Sequence, residues 1–245
     1  MPSSVTRVSV YCEPEQEIEC AASHRFAGVI VLVDLDNTLV DRELAFRTWA
    51  RHFIDEISAD PEDLAWLLAT DADGYTPRAD LAGALQERWG LSIRVEDLVQ
   101  RLVLELAQHI QPYPGVRSAL EALTATGVTL VVVTNGTAAQ QQRKMQRSGL
   151  ASLISDVVIS EAVGSKKPDP LIFRTALETA GRHGGRGPAW MVGDHPLADI
   201  AGAKNCGLLT GWVSHGRAWT TGQPADIAGP RTVDVLAQMT PPKSR

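Results

Sequence analysis

The sequence has few of the features that mark exported, metal-binding or membrane proteins. It contains three cysteines, Cys12, Cys20 and Cys206, and their positions show no metal-ligand spacing. No apolar run is long enough to cross a bilayer, and the N-terminus lacks the apolar stretch of a signal peptide. We therefore expect free thiols in a reducing cytosol, and hence a cytoplasmic protein without a membrane partner.

The charge and length of the chain restrict its partners and its size class. The formal net charge is −6, and no basic stripe is present, which argues against binding of nucleic acid. An acidic protein that handles anions needs a local positive centre, supplied by a metal ion or by a placed lysine. With 245 residues, 44% of them hydrophobic, the chain is long enough for one large domain or for one domain with an insertion. The oligomeric state is not indicated.

Strand and helix patterns divide the chain into an α/β unit and a helical insert. Residues 1–27 and 238–245 are polar and irregular, which predicts a flexible extension and a flexible tail. Residues 42–111 follow a helical pattern until a Pro-Tyr-Pro-Gly segment interrupts it. Residues 28–41 and 112–237 alternate strands with helices. This alternation predicts a parallel sheet covered on both faces, a Rossmann-like three-layer sandwich with a small helical insert after the first strand.

The limits of the later elements follow from apolar runs and helix-start signals. Strands are predicted at 128–133, 157–160 and 189–192, with a last strand at 208–213, and helices at 116–126, 137–148, 170–180 and 196–204. Within the insert, Asp60-Pro61 and Thr76-Pro77 are typical of helix N-caps, and Gly90 is typical of a helix end. Parallel strands place all their carboxyl ends at one edge of the sheet, where ligands bind.

Two carboxylates follow the first predicted strand, which ends in the apolar run Val29–Val33. Asp34 and Asp36 lie two positions apart, so their side chains can share one face. Neighbouring carboxylates repel each other and need a cation or a shared proton. One interpretation is a site with Asp34 as nucleophile, Asp36 as its proton-transfer partner and a hard divalent cation. The other is a solvated loop after a strand, and this segment alone does not decide between them.

Further polar residues follow the other predicted strands at the same edge. Thr134 and Asn135 end the second strand, Lys167 lies beyond the third, Asp194 ends the fourth, and Asp199 lies one helical turn further on. Each residue alone has a structural explanation, as a turn residue, a solvated lysine or a helix cap. Their conjunction, in this order, indicates a site.

This set of side chains suits the transfer of a phosphoryl group. Asp34 and Asp194 are suitable oxygen ligands for Mg²⁺, and Lys167 would balance the remaining negative charge and keep Asp34 ionised. The Thr134 hydroxyl and the amides of the following turn, from Asn135 on, would bind phosphoryl oxygens. Asp36 would protonate the leaving oxygen and then take a proton from the attacking water.

The motifs in this order resemble those of the haloacid dehalogenase superfamily of hydrolases, over about residues 29–213. They are Asp34-x-Asp36-x-Thr38, Thr134, Lys167-Pro168 and Gly193-Asp194 with Asp199. The resemblance is to the phosphatase branch, and it implies a phospho-aspartyl intermediate on Asp34. It also implies Mg²⁺ bound by Asp34, Asp194 and the backbone carbonyl of Asp36, with Asp199 ordering the waters of the metal or Lys167. The insert resembles a helical C1-type cap that closes over the site and selects the substrate.

Two choices depend on that resemblance. The lysine of the family stands directly before the proline, which favours Lys167 over Lys166. Dehalogenases of the superfamily lack an acid at the position of Asp36, so its presence indicates an oxygen leaving group. The expected function is Mg²⁺-dependent hydrolysis of a small phosphorylated metabolite, with nucleoside monophosphates and sugar phosphates as leading candidates. A sugar phosphomutase and a catalytically silent binding protein on the same scaffold are the alternatives.

The remaining conspicuous side chains have mainly structural interpretations. Four aromatic residues of the insert are expected to pack between its helices: Trp49, Phe53, Trp66 and Trp89. His195 is expected to start a helix, because Mg²⁺ prefers oxygen ligands. A structural role is also favoured for three residues at or just after the end of the last predicted strand: Trp212, His215 and Arg217. Contact with substrate is conceivable, from position alone, for Arg42, Glu43, Arg47, Tyr75, Arg78 and Asp80.

Overall fold

The computed structural model describes residues 28–239, and in this range it contains a six-stranded, fully parallel sheet. Its strands are β1 (Ile30–Val33), β2 (Thr129–Thr134), β3 (Asp156–Ile159), β4 (Ala189–Gly193), β5 (Leu209–Val213) and β6 (Ile227–Gly229). They lie side by side in the order β3-β2-β1-β4-β5-β6. The strand order therefore reverses beside β1. In parallel sheets, the crevice at the carboxyl ends of the strands at such a reversal is where ligands bind.

The helices cover both faces of this sheet, as the α/β pattern predicts. They are α1 (Arg42–Glu56), α2 (Asp63–Asp71), α3 (Arg78–Trp89), α4 (Val95–Gln108), α5 (Val116–Ala125), α6 (Ala138–Ser148), α7 (Ser160–Val163), α8 (Pro170–Arg182), α9 (Gly202–Asn205) and α10 (Thr232–Gln238). Short 3₁₀ turns lie at Ala72–Gly74 and Ala151–Leu153, and a π-helical segment spans Pro196–Ala201. The three-layer α/β fold is confirmed.

The central strand β1 is apolar on both faces because helices pack on each side of it. Val31 and Val33 belong to one buried cluster, and Ile30 and Leu32 belong to the other. This alternation follows from the two-residue period of a strand. The hydrogen-bond ladder continues one residue past the strand, since the Asp34 N–H donates to the Val192 carbonyl over 2.9 Å. The backbone at Asp34 is thereby fixed to β4, directly at the edge of the sheet.

Four helices, α1 to α4, lie within residues 42–111, where the sequence predicts the insert. Their apolar side chains join the larger of the two buried clusters, so the insert and the sheet share one core. The predicted aromatic packing is present: Trp49 stacks on Phe53 at 5.0 Å between ring centroids, and Trp66 meets Trp89 edge-on at 5.3 Å. The action of residues 42–111 as a separate cap stays a prediction.

Several local expectations are wrong. The chain adds β6 and α10 after the strand that was expected to be last. Thr76 does not cap α3, because its hydroxyl donates instead to the Thr70 carbonyl over 2.5 Å. Asp60 accepts from the Glu62 N–H over 2.8 Å, but α2 begins only at Asp63, two residues later than predicted. Gly90 does end α3 in the left-handed conformation, as its missing Cβ allows.

The predicted ends of the chain are only partly covered. The expected extension, residues 1–27, and residues 240–245 of the expected tail lie outside the described residues. Gln238, the first residue assigned to the tail, is the last residue of α10, and Met239 is buried. Of the helices between residues 28 and 239, none has the length and apolar character needed to traverse a lipid bilayer.

Candidate active site

The residues predicted to form the site surround a cavity of about 1000 Å³ over the carboxyl edge of the sheet. Asp34 and Asp36 follow β1, Thr134 ends β2 and Asn135 follows it, and further lining residues come from α6 and from the loops after β3, β4 and β5. Residues of the helical insert line the same cavity from the opposite side. The topology thus brings together side chains that lie far apart in sequence.

A buried lysine joins two of the predicted carboxylates. The Lys167 ammonium lies 2.7 Å from an Asp34 oxygen and 2.7 Å from an Asp199 oxygen, and it also donates to the Val133 carbonyl over 2.8 Å. Lys166, its neighbour, is exposed. The position favoured by the sequence resemblance is therefore the one that reaches Asp34.

The close approach of Asp199 depends on a glycine in β4. A Cβ atom at Gly193 would overlap the Asp199 carboxylate, so no larger residue fits at that position. The second Asp199 oxygen accepts from the His195 N–H over 3.0 Å. His195 itself starts the following helical segment, because its Nδ1 accepts from the Leu197 and Ala198 N–H groups. The interpretation of His195 as a helix-start residue is confirmed.

Three carboxylates meet where the cavity adjoins β1 and β4, and of the cations in residues 28–239 only Lys167 and Arg217 pair with them. Asp34, Asp194 and Asp199 each place one oxygen within 4.8 Å of the others. Lys167 is their buried cation, and Arg217 donates to Asp194 over 3.0 Å from the more exposed side. The sequence interpretation of Arg217 as a structural residue missed this ion pair. The set of oxygen donors and its excess negative charge suit a hard dication such as Mg²⁺.

The burial of the site and its excess negative charge raise the pKa values of Asp34 and Asp194. Burial raises the pKa of Asp34 to about 7, because the opposing effect of Lys167 is partly offset by Asp199. Burial, with Asp199 and Asp34 nearby, raises the pKa of Asp194 to about 8 against the effect of Arg217. Both carboxylates are therefore held in a site that disfavours their ionised form unless further positive charge is present.

Asp36 forms a separate ion pair with residues that the sequence analysis did not single out. The Lys144 ammonium lies 2.7 and 2.6 Å from the two Asp36 oxygens, and the Gln141 amide donates to Asp36 over 2.9 Å. Burial raises the pKa of Asp36, but Lys144 and Gln141 outweigh it and keep this pKa below its ordinary value. Asp34 and Asp36 thus each have their own buried cation.

A signal for these missed residues was present in the sequence of α6. Gln141, Lys144 and Ser148 are buried with Met145 on the inward face of this helix, where apolar residues are normally expected. Polar side chains at helical spacing on a buried face require buried partners. A search for such a stripe, rather than for strand-end motifs alone, would have indicated that α6 contributes to the site.

The last residue of β2, Thr134, and the residue after it, Asn135, form different contacts. The Thr134 hydroxyl is buried and accepts from the Gln141 amide over 2.5 Å. The Asn135 side chain holds the backbone of Lys167 at both polar groups: it accepts from the Lys167 N–H over 2.8 Å and donates to the Lys167 carbonyl over 3.0 Å. The Asn135 side chain therefore positions the loop that carries Lys167. Binding of a phosphoryl group by Asn135, through its main-chain amide, stays a prediction.

The insert contributes cationic and aromatic side chains to the cavity. Arg42 and Arg78 both pair with Asp71, and Tyr75 packs against His195 with ring centroids 5.2 Å apart. The arginine pairs lie within the insert, and the contact of Tyr75 with His195 joins the insert to the loop after β4. Of the insert residues singled out by position, Asp80 is the one that does not line the cavity; those that do are Arg42, Glu43, Arg47, Tyr75 and Arg78.

Metal-free protein is expected to lose stability as the pH rises from about 6.5 to about 8, and the loss should level off above that pH. In this range the unfolded chain has lost the protons of Asp34 and Asp194, whose ordinary pKa is 3.8, whereas the folded chain releases them only as the pH passes their raised pKa values of about 7 and about 8. A folded state that binds more protons is destabilised by rising pH. The fold lowers the pKa values of His109 and His195 from 6.5, so the titration of these two residues affects stability only below this range.

Thermal unfolding followed by circular dichroism checks this prediction. In EDTA the melting temperature should fall across the range, and Mg²⁺ should raise it most at the alkaline end. Asp194→Asn should flatten the decline, whereas Asp234→Asn, at a half-buried carboxyl outside the cavity whose pKa is lowered by Arg231, should not. A metal-free melting temperature that stays constant or rises would contradict the excess of buried negative charge.

Comparison with known proteins shows what the chain is similar to. The model of the family described as haloacid dehalogenase-like hydrolase matches residues 31–213. The chain is 37% identical over 156 residues to pyrimidine 5'-nucleotidase YjjG of Escherichia coli (strain K12), which covers 62% of this chain and 67% of that protein. It is 36% identical over 133 residues to phosphoserine phosphatase of Thermus thermophilus, covering 54% and 52%. The matches span about half to two thirds of these curated relatives.

Solved structures with this fold include two chemistries. A HAD phosphatase from Thermococcus onnurineus is 25% identical with a TM-score of 0.62, covering 85% of this chain and 96% of that one. A 2-haloacid dehalogenase from Pseudomonas syringae pv. Tomato DC3000 is 28% identical with a TM-score of 0.56, covering 86% and 99%. The fold alone therefore does not separate an oxygen leaving group from a halide, and the side chains of the site must do so.

Proposed function

The chain belongs to the haloacid dehalogenase-like hydrolase family, and on that premise we propose that it is a Mg²⁺-dependent phosphatase of a small phosphorylated metabolite. The observation that carries the proposal is the pair of separate ion pairs, Lys167 with Asp34 and Lys144 with Asp36. Two carboxylates in distinct environments suit two distinct roles. The presence of an acid at Asp36 favours an alcohol leaving group, which requires a proton, over a halide, which does not.

Asp34 acts as the nucleophile in this proposal. One of its oxygens attacks phosphorus, the ester oxygen leaves, and a phospho-aspartyl intermediate forms. Water then attacks the same phosphorus, which releases inorganic phosphate and regenerates the carboxylate. Lys167 supports both steps, because its ammonium favours the ionised form of Asp34 and balances charge that the phosphoryl group brings. The fixed backbone at Asp34 holds the nucleophile in place.

Asp36 acts as the proton-transfer partner. In the first step its carboxyl donates a proton to the leaving oxygen, and in the second its carboxylate takes a proton from the attacking water. Lys144 and Gln141 orient it and favour the ionised form that the second step needs. Approach of a phosphate dianion would favour the protonated form that the first step needs, because negative charge nearby raises a carboxyl pKa.

The phosphoryl group is bound by the Thr134 hydroxyl and by the main-chain amides of the turn that Asn135 begins. The ligands proposed for Mg²⁺ are the carboxylates of Asp34 and Asp194 and the main-chain carbonyl of Asp36, with Asp199 holding Lys167 in place. When bound, Mg²⁺ supplies the positive charge that lets an anionic nucleophile meet an anionic ester.

Residues 42–111 act as the cap domain over residues 28–41 and 112–237. The cavity between them measures about 1000 Å³, which is a size for metabolites rather than for proteins or nucleic acids. The contact of Tyr75 with His195 closes one side of it. Exclusion of water strengthens the electrostatic interactions within the site and limits hydrolysis of the wrong groups.

The proposal is tested by measuring phosphate release from a broad panel of phosphorylated metabolites. Release should require Mg²⁺ and should fall by roughly 10²-fold or more in EDTA, because a metal ion contributes several kcal/mol of charge stabilisation. Isomerised product with little free phosphate, dependent on a bisphosphorylated activator, would indicate a phosphomutase instead. No turnover of any ester with Mg²⁺ would indicate a binding protein and overturn the proposal.

A further inference from the structure

The lining of the cavity includes a cluster of three cations, which we call the cationic wall: Arg42 and Arg78 belong to the insert, and Lys144 belongs to α6. They share two carboxylates, Asp71 and Asp36. Nothing in the proposed chemistry at Asp34 uses the two arginines. Because the reaction at Asp34 does not require these arginines, their presence in the cavity indicates that they bind another anionic group.

The arginines are fixed by a buried carboxylate behind the wall. Asp71 does not line the cavity and is almost fully buried. It binds both terminal nitrogens of Arg42, one of them over 2.6 Å, and one terminal nitrogen of Arg78 over 2.8 Å. Gly74 lies against Arg42 so closely that a Cβ there would be 3.0 Å from the guanidinium. The guanidinium groups are therefore held in place before any ligand arrives.

Arg78 is the member of this wall with free hydrogen-bonding capacity. Its side chain is 14% exposed, and among residues 28–239 its one hydrogen-bonding partner is Asp71, which engages a single nitrogen. An arginine presents five N–H donors in a planar fork that matches a carboxylate or a phosphate. Burial lowers the pKa of Arg78, as does Arg42, against the opposing effects of Asp71 and Asp36. A further anion would therefore be stabilised beside it.

The wall also lies on the leaving-group side of the proposed reaction. Asp36, the proposed proton donor to the leaving oxygen, is paired directly with Lys144. Arg42 and Arg78 line the same cavity as Asp36 and Lys144. Consistent with this placement, the charges of both arginines lower the pKa of Lys144. A substituent on the leaving alcohol, a short distance beyond the ester oxygen, would reach the wall.

We propose that the wall formed by Arg42, Arg78 and Lys144 binds a second anionic group on the leaving alcohol, a carboxylate or another phosphate. This inference rests on the proposed phosphatase function and narrows its substrate class. It favours phosphorylated acids and sugar bisphosphates over nucleoside monophosphates, which carry no second anion on the leaving alcohol. Arg78 is the main determinant of that preference, because Asp71 engages only one of its nitrogens and its other N–H groups can donate to the substrate.

Three matched esters test the proposal in the wild-type protein with Mg²⁺: 2-hydroxyethyl phosphate, phosphoglycolate and ethylene glycol bisphosphate. They share a two-carbon leaving alcohol and end in a hydroxyl, a carboxylate and a phosphate. We expect kcat/KM to be roughly 10- to 100-fold higher for at least one anionic ester, because a charge-assisted hydrogen bond to a fixed guanidinium is strong. The ester that is preferred identifies which anion the wall accepts.

Arg78→Gln should remove most of that preference, because kcat/KM should fall at least about 10-fold more for the preferred anionic ester than for 2-hydroxyethyl phosphate, and Arg78→Lys should retain part of it. The neutral ester serves as the folding control within each variant. Arg94→Gln makes the same charge change on an exposed arginine of the insert that does not line the cavity, and it should preserve the preference. These results together would support the subsite.

Three results would overturn the subsite. If the wild-type protein hydrolyses all three esters equally, the phosphatase function stands and the second-anion subsite fails. If Arg78→Gln lowers turnover of all three esters by the same factor, Arg78 is structural and does not select. If the wild-type protein hydrolyses none of these esters or of the wider metabolite panel, the phosphatase function itself fails, and the subsite with it.

Discussion

Asp34→Asn is expected to reduce turnover of every phosphate ester by roughly 10⁴-fold or more, which corresponds to a barrier increase of about 5.5 kcal/mol. An amide oxygen is too weak a nucleophile to attack phosphorus, and Asn cannot form the acyl phosphate through which the proposed reaction passes. Steady-state release of phosphate from an aryl phosphate, with saturating Mg²⁺, measures the loss. Retention of full activity would show that another group attacks.

The loss must be separated from unfolding and from a general change of charge. In Asp34→Asn, Lys167 keeps Asp199 and the Val133 carbonyl as partners, and one of three mutually repelling carboxylates is removed. The metal-free variant should therefore be no less stable than the wild-type protein at alkaline pH. Asp41→Asn is the matched control, since it removes a charge from the same cavity while Asn remains a good N-cap for α1. It should retain activity.

Asp36→Asn is expected to lower turnover of an alkyl phosphate by about 10²–10⁴-fold, the range for loss of a general acid or base. An alkoxide leaves poorly without a proton, so formation of the phospho-aspartyl intermediate becomes slow. A nitrophenolate leaves without help, so with an aryl phosphate the first step should survive. The second step still lacks its base, and the intermediate should accumulate.

Rapid-mixing kinetics distinguish these outcomes for Asp36→Asn. With a nitrophenyl phosphate we expect a burst of nitrophenolate close to one per active site, followed by slow turnover. With an alkyl phosphate no burst is expected. Equal losses for both esters, without a burst, would mean that Asp36 does not transfer the proton and only holds Lys144 in place.

The sheet and the strand-end residues could be predicted because the signals are local. The apolar run before Asp34 and the alternation of strands with helices fix a parallel sheet, and a parallel sheet brings its carboxyl ends together. Thr134 and Asp194 follow from that rule alone. Lys167 did not, since Lys166 and Lys167 are both polar loop residues by sequence; only the family pattern favoured the second, which the fold buries.

The residues that the sequence did not reveal are those whose partners are distant. Lys144 lies 108 positions from Asp36, so that pair has no local pattern. Arg42 was singled out by position, but its partner Asp71 lies 29 positions away and was not. Arg217 reaches Asp194 from a loop after β5 whose conformation no sequence rule supplies. The strand β6, three residues long, is too short to show alternation. Tertiary packing, rather than local propensity, determines these features.

The most direct test of the account is to identify the residue that carries phosphate during turnover. Asp36→Asn, mixed with a nitrophenyl phosphate and Mg²⁺ and then quenched in acid, should gain the mass of one phosphoryl group. Peptide mapping should locate that group on Asp34. A full nitrophenolate burst with the group on another residue, or turnover without any labelled protein, would contradict the account.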